Sequence, residues 1–283
     1  MAITTEIRNG ITLFHIDHPC CQASVSQQGA QLLSWTPTGT APVIWLSPAA
    51  RFNLGSAIRG GIPVCWPWFG PHPSDATLPA HGIARSASWD LISQSEDAAG
   101  VALHFQLKDN AASRAIWPVA FELNLTLYLG ATFHLSFEAT HHGDAPVMIS
   151  DALHTYFAVA DCETVTVSGL DQCAMYDKVS HTHHTQQGTP QFSQETDRVF
   201  LDVPDTLILH DPAGRDIHIQ STGTRSAIIW NPGQAKAQQM ADVGTHWQGF
   251  ACVETGNALQ NQYLLPPAHT HTETLTVAVH PHA

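Results

Sequence analysis

Phe121-Glu122-Leu123-Asn124-Leu125-Thr126-Leu127-Tyr128-Leu129 alternates apolar and polar residues without interruption. Successive side chains of an extended chain point to opposite faces, so this period of two marks a strand with one face buried and one wet. The pattern recurs in Val101–Leu107, His134–Thr140, Thr164–Val167 and Glu273–Val279. Turn-forming clusters such as His142-Gly143-Asp144-Ala145-Pro146 and Asp211-Pro212-Ala213-Gly214 punctuate these runs. No segment carries a sustained 3.6-residue pattern. The chain reads as a large all-β protein of antiparallel sheets with little helix. Its 18 prolines and 19 glycines are spread evenly, with no linker, repeat or low-complexity run, so one domain over residues 1–283 is expected.

Apolar residues make up 43% of the chain, enough for a large core, and charged residues only 12%, about half the usual share of roughly 25%. Acidic residues outnumber basic ones 24 to 11, for a net charge of −13. That balance argues against nucleic acid and against anionic membrane surfaces as partners. An anionic small molecule would be repelled at long range and would need a local concentration of arginine. The six cysteines at 20, 21, 65, 162, 173 and 252 form neither a Cys-x-x-Cys pair nor a recognisable disulfide framework. No apolar run is long enough to span a bilayer, and the N-terminus lacks the plan of a signal peptide. A reduced, cytoplasmic protein with cysteines as small hydrophobes is expected.

Ile58-Arg59-Gly60-Gly61-Ile62-Pro63-Val64-Cys65-Trp66-Pro67-Trp68-Phe69-Gly70 sets one charge among glycines, prolines and aromatics. A guanidinium pairs bidentately with phosphate or carboxylate and stays charged, and glycine lets backbone approach a ligand. Read alone, the segment is equally a buried turn with a structural ion pair. Pro79-Ala80-His81-Gly82-Ile83-Ala84-Arg85 repeats the arrangement with a second arginine and a histidine. Ala152-Leu153-His154-Thr155-Tyr156-Phe157, Glu195-Thr196-Asp197-Arg198-Val199-Phe200, Trp230-Asn231-Pro232 and Cys252-Val253-Glu254-Thr255-Gly256-Asn257 follow. In this order and spacing, over nearly the whole chain from about Cys20, the segments resemble the hexose-6-phosphate mutarotases (glucose-6-phosphate 1-epimerases) of the aldose 1-epimerase superfamily.

The resemblance implies a galactose-mutarotase-like β-sandwich, or supersandwich, with its site in a broad open cleft. Such an enzyme interconverts the α and β anomers of a hexose 6-phosphate. Ring opening removes the proton of the C1 hydroxyl and protonates the ring oxygen, which calls for a base and an acid on opposite sides of the anomeric centre. Glu254 is the candidate base. Its apolar neighbours would raise its pKa, although a strand-end glutamate can also be an ordinary surface residue. His154 is the candidate acid, with an intrinsic pKa suited to proton exchange near neutrality. The resemblance gives Arg59 and Arg85 to the phosphate, and His81 and Asp197 to the sugar. A salt bridge from Asp197 to Arg198 is the structural alternative. Trp66, Trp68, Phe69 and Trp230 are shared between an aromatic floor and core packing.

Two departures from the pattern, Ala80 and Gly233, are expected to remove side chain from the cleft and so to bear on substrate choice. Lys236 and Asp242 match it but receive no catalytic role. No cofactor and no metal are expected, and the partner is a small sugar phosphate bound by a monomer. The histidine runs at 181–184 and 269–271 offer a rival reading as metal ligands, placed in loops. Two further rival readings are a non-catalytic carbohydrate-binding sandwich and a mutarotase for a neutral or different sugar.

Overall fold

The alternating segments assemble side by side. In the computed structural model of the protein, which describes residues 2–282, one antiparallel sheet has the order Thr166–Ser168, Thr206–Asp211, Arg215–Thr222, Thr270–Pro281, Phe133–His141, Phe121–Gly130, Gly100–Lys108, Asp90–Glu96. Register sets Leu123 opposite Ala139 and Leu107, and Leu125 opposite Phe137 and Phe105, so the apolar residues fall on one face. That face enters the main core. The expected strand over 164–167 begins later than its alternation suggests. Cys162–Thr164 is a 3₁₀ turn capped by Asp161, whose Oδ1 accepts from the Glu163 backbone N–H at 3.0 Å, and the strand starts at Thr166.

A second sheet runs Thr182–Thr185, Ala174–Asp177, Thr196–Leu201, Ser226–Asn231, Phe250–Asn257, Asp151–Leu153, Val64–Cys65, with Tyr156–Ala158 also paired to Phe250–Asn257. The N-terminal strands Ile3–Arg8, Ile11–His18, Cys21–Ser26 and Gln31–Pro37 form a four-stranded meander. A small fourth sheet pairs Val147–Ile149 with Tyr263–Leu265, and the three larger sheets all send residues into the main core, for example Phe14, Phe105, Phe137, Leu153 and Val253. Among the described residues, helix is confined to the short Ala111–Ile116 and Gly233–Ala237 and a few 3₁₀ turns.

Phe250–Asn257 lacks alternation because both of its faces are covered, and every residue in it is buried. Ala251 and Val253 belong to the main core, whereas Phe250 and Cys252 pack with Trp45 and Tyr156 in a separate cluster on the opposite face. Glu254 follows the even-numbered set. The arginine segment is held beside this sheet by backbone bonds: His154 N–H donates to Pro63 O at 2.9 Å and Tyr156 N–H to Gly61 O at 3.0 Å. Trp66 from the same segment packs edge-on against Trp117 at 5.0 Å and Phe121 at 4.9 Å, tying the segment to the first sheet.

Candidate active site

Strand register brings the candidate residues together. Asp197 lies opposite Trp230, Trp230 opposite Cys252, and Cys252 opposite Tyr156, which makes one row across four strands. Glu254 stands two residues along from Cys252, opposite Ile228. His154 occupies the break between Asp151–Leu153 and Tyr156–Ala158, two short strands that flank Phe250–Asn257 on its other side. With Arg59, Phe69, His81 and Arg85 these residues line a cleft of about 250 Å³, together with Lys178 and Lys236. All six candidates, His154, Glu254, Arg59, His81, Arg85 and Asp197, are therefore brought into one site.

Nδ1 of His154 lies 3.4 Å from Oε1 of Glu254, not separated from it by the width of a sugar ring. The contact is not aligned as a hydrogen bond, and Nδ1 and the second carboxylate oxygen, Oε2, are both buried without a partner. Glu254 is 1% exposed and His154 8%. Burial, reinforced by the charge of Asp197, pushes the Glu254 carboxyl well above its usual range, with Lys178 and Arg85 opposing. Burial, then His81, Arg85 and Arg59, pulls the His154 imidazole well below its own. Both groups thus favour their uncharged forms, as desolvation dictates. The His154 ring stacks on Tyr156, centroids 4.8 Å apart and 5° from parallel.

His81 sits at φ 64°, its backbone N–H bonded to Gly70 O at 2.7 Å. The Gly70 N–H donates to His81 Nδ1 at 3.3 Å, so in the neutral ring the proton is on Nε2. Burial, with Arg85, Lys178 and Arg59, pulls the His81 pKa down to about 3, and the ring is a neutral donor near pH 7. Gly82 permits this geometry. Its φ is +73°, and a Cβ there would come within 1.9 Å of Trp66 O.

The four cations differ in their partners. Arg59 Nε binds Asp242 Oδ2 at 3.0 Å, and its NH1 donates to the Tyr156 hydroxyl at 3.0 Å. Lys178 Nζ binds Asp197 Oδ2 at 3.1 Å, and Lys236 Nζ binds Glu195 Oε1 at 2.5 Å. Arg85 donates to Ala80 O at 2.9 Å and, among the described residues, has no carboxylate partner. Asp197 does not pair with Arg198: adjacent strand residues face opposite ways, and Arg198 bonds Asp177 at 3.2 Å.

Phe69 and Trp230 line the cleft, whereas Trp66 and Trp68 are buried in the main core. At Gly233, φ is +61° and a Cβ would lie 2.6 Å from the Glu195 backbone nitrogen. Glycine there fits a close backbone contact, so the expectation that it clears side chain from the cleft does not hold. Ala80 is exposed and contributes its carbonyl to Arg85. Sequence reasoning missed Lys178 and the anchoring of Arg59 by Asp242 and Tyr156. One signal was available: the chain has three lysines, Lys108, Lys178 and Lys236, and two of them line the cleft.

The histidine run at 181–184 is not a loop. Thr182–Thr185 is an exposed edge strand on which His183 packs against Tyr176 at 4.8 Å. His271 does converge with Asp151 and Glu273, their ligand-type atoms all within 4.8 Å of one another. The Asn257 amide nitrogen already lies between them, 3.2 Å from Asp151 Oδ1 and 2.8 Å from Glu273 Oε1, where a cation would sit. A larger cleft of about 440 Å³ beside Ala41 and Val159 is mostly apolar. Its Arg215 is consumed by Asp211 and by the carbonyls of Ala41 and Ala158.

The aldose 1-epimerase family model matches residues 12–278 of the chain. A candidate glucose-6-phosphate 1-epimerase of Escherichia coli is 41% identical over 92% of this chain and 88% of its own length. One of Salmonella typhimurium is 39% identical over 87% of this chain and 83% of its own length. The crystal structure of a candidate mutarotase from Salmonella typhimurium superposes with a TM-score of 0.93 at 34% identity, covering 99% of this chain and 94% of that one.

Proposed function

The chain belongs to the aldose 1-epimerase family, and we propose that it interconverts the α and β anomers of a hexose 6-phosphate, glucose 6-phosphate foremost. One observation carries the substrate class. Four of the eleven basic residues of a chain with net charge −13 line a single cleft, and that cleft also holds the buried Glu254–His154 pair. Of these cations Lys178 is paired with Asp197, Arg59 with Asp242 and Lys236 with Glu195, which leaves Arg85 uncompensated beside a Glu254 carboxyl that burial pushes toward its neutral form. A phosphate dianion suits that surplus of positive charge. Arg85, without a carboxylate partner among the described residues, is its principal anchor, and Arg59 assists through the NH2 group that Asp242 and Tyr156 leave unbonded.

Opening the ring takes a proton from O1 and delivers one to the ring oxygen. Both oxygens are bonded to C1, so an acid and a base in contact can serve them together. In the ionised form of the pair, Glu254 accepts the O1 proton while His154 donates to the ring oxygen. The open-chain aldehyde then faces protonated Glu254 and neutral His154, the form that burial favours. Rotation about C1–C2 exposes the other carbonyl face, and the same two protons return on reclosure. The pair's total proton count is unchanged across the cycle. His81, a neutral Nε2–H donor, binds the sugar or its ring oxygen, and Asp197 accepts from ring hydroxyls. Phe69 and Trp230 supply the apolar floor.

We read the chain as one domain, because the main core draws on the three larger sheets together. No described helix is long and apolar enough to cross a membrane. All six cysteines are free and four are buried, which suits the reducing cytoplasm. Two-dimensional NMR exchange on glucose 6-phosphate and on free glucose tests the reading. Faster anomer exchange of the phosphorylated sugar, with little effect on the free one, is expected. Exchange no faster than buffer for either sugar would overturn it in favour of a non-catalytic sugar-binding role.

A further inference from the structure

Lys178 has no part in the acid–base step or in the phosphate anchor, yet it is built into the cleft from three sides. Its backbone N–H donates to Asp197 O at 2.8 Å. Its Nζ binds Asp197 Oδ2 at 3.1 Å, with side-chain exposures of 32% and 16%. The same ammonium lies 5.5 Å from the centroid of the Phe69 ring, which itself stands edge-on to His81 at 5.0 Å. Position follows from register: Asp177 pairs with Arg198, so Lys178 is the first residue past the ladder and turns back toward Asp197.

The chemistry of this pair differs from that of Arg85. A phosphate needs uncompensated positive charge, which Arg85 offers and the Lys178–Asp197 pair does not. A hydroxyl both donates and accepts, so it suits a carboxylate oxygen beside an ammonium. Lys178 occupies Oδ2 of Asp197 and leaves Oδ1 for one hydroxyl, while the ammonium keeps two of its three N–H bonds for a neighbouring one. Asp197 lies in the row that runs through Trp230 to Cys252, two residues from Glu254, and all three of Lys178, Asp197 and Glu254 line the one cleft, which sets the pair at the anomeric end of the sugar.

We infer that Lys178 is a substrate-binding, specificity-determining residue which, with Asp197, reads two adjacent ring hydroxyls on the anomeric side of the sugar, those of C2 and C3. The inference rests on the anomer-exchange reading above and deepens it. Asp197 takes one hydroxyl and Lys178 the other. A sugar phosphate that lacks or inverts either hydroxyl leaves a polar group of the pair unmatched.

The test is exchange NMR on the full-length protein and its Lys178→Met and Lys178→Gln variants, with glucose 6-phosphate and its 2-deoxy, 3-deoxy and 4-deoxy analogues. Methionine keeps the stem against Phe69 and removes the donors; glutamine restores a neutral donor and carries the test if the methionine variant does not fold. Lys178→Met should lose about 10- to 100-fold in kcat/KM on glucose 6-phosphate and on the 4-deoxy analogue. It should lose no more than about twofold on whichever of the 2-deoxy and 3-deoxy analogues lacks the hydroxyl it reads, and Lys178→Gln should recover part of the loss. An equal loss on all four sugars would mean that the ammonium acts only as a charge, and no loss on any that it does not touch substrate. Either result overturns the inference while anomer exchange stands. A wild-type protein inactive on every sugar removes the underlying reading instead.

Discussion

His154 Nδ1 and Glu254 Oε1 are 3.4 Å apart in a site where neither group has another protein partner for its buried atom. Two ionisable groups so placed titrate as a unit, and their shifts are opposite: the carboxyl is raised and the imidazole lowered. The working pair carries one proton. Acidification adds a second proton only below the ordinary histidine range, and alkalinisation removes the first only above the ordinary carboxylate range. The pH profile of kcat/KM should therefore be a bell, its acid limb displaced well below the ordinary histidine value of about 6.5 and its alkaline limb displaced well above the ordinary carboxylate value of about 4.5. Exchange rates measured from pH 4 to 10 check this. A single limb centred on an unshifted histidine would contradict the pairing.

The two arginines should separate kinetically. Arg85→Ala removes the one cation of the cleft without a carboxylate partner, and should raise KM for glucose 6-phosphate about 10- to 100-fold with little change in kcat. Arg59→Ala also releases the Tyr156 hydroxyl, whose ring is stacked on His154. It should lower kcat as well as affinity. Tyr156→Phe, which keeps the stack, should cost less than about fivefold in kcat, as befits one lost hydrogen bond. Equal effects of Arg59→Ala and Arg85→Ala on both parameters would show that the arginines do the same work.

Much of this was legible in the sequence, for a physical reason. The sheet that holds Phe121–Gly130 and Phe133–His141 has one wet face, so these strands announce themselves by alternation. The central strand Phe250–Asn257 is covered on both faces and shows no period, and Glu254 was found there through its motif. Arg59, Arg85, His81, His154 and Asp197 were singled out the same way, and the fold gathers them with Glu254 in one cleft. Lys178 was not: its meeting with Asp197 depends on the pairing of Ala174–Asp177 with Thr196–Leu201, which local sequence does not reveal. Gly233 misled because glycine reads as missing side chain, whereas here it accommodates the Glu195 backbone.

Gly82→Ala should be costly out of proportion to one methyl group. A Cβ would lie 1.9 Å from Trp66 O at a residue with φ +73°, so the backbone that carries His81 and Arg85 must move. A loss of more than about 2 kcal/mol of stability is expected in chemical denaturation, together with loss of exchange activity. Native stability in this variant would show that the loop yields without cost.

The buried carboxyl cluster should make stability depend on pH. Burial raises Glu273 to about 7, and it raises Asp151, which faces Glu273, well above its usual range. The folded state thus holds protons that the unfolded chain releases. The contribution of Glu273 is fully present below its unfolded value of about 4.5 and is lost as pH rises through about 7. Thermal melting temperature should fall between those limits in the wild type. Glu273→Gln, which keeps the contact with Asn257 and cannot ionise, should flatten that fall. An unchanged slope would place the dependence elsewhere.

The most direct measurement is the anomer exchange rate of glucose 6-phosphate, by two-dimensional exchange NMR at neutral pH, for the wild type and Glu254→Gln at equal concentration. The acid–base account predicts acceleration by the wild type that drops about 10²- to 10⁴-fold in the variant while the fold is retained. A folded Glu254→Gln protein that exchanges the sugar as fast as the wild type would contradict it.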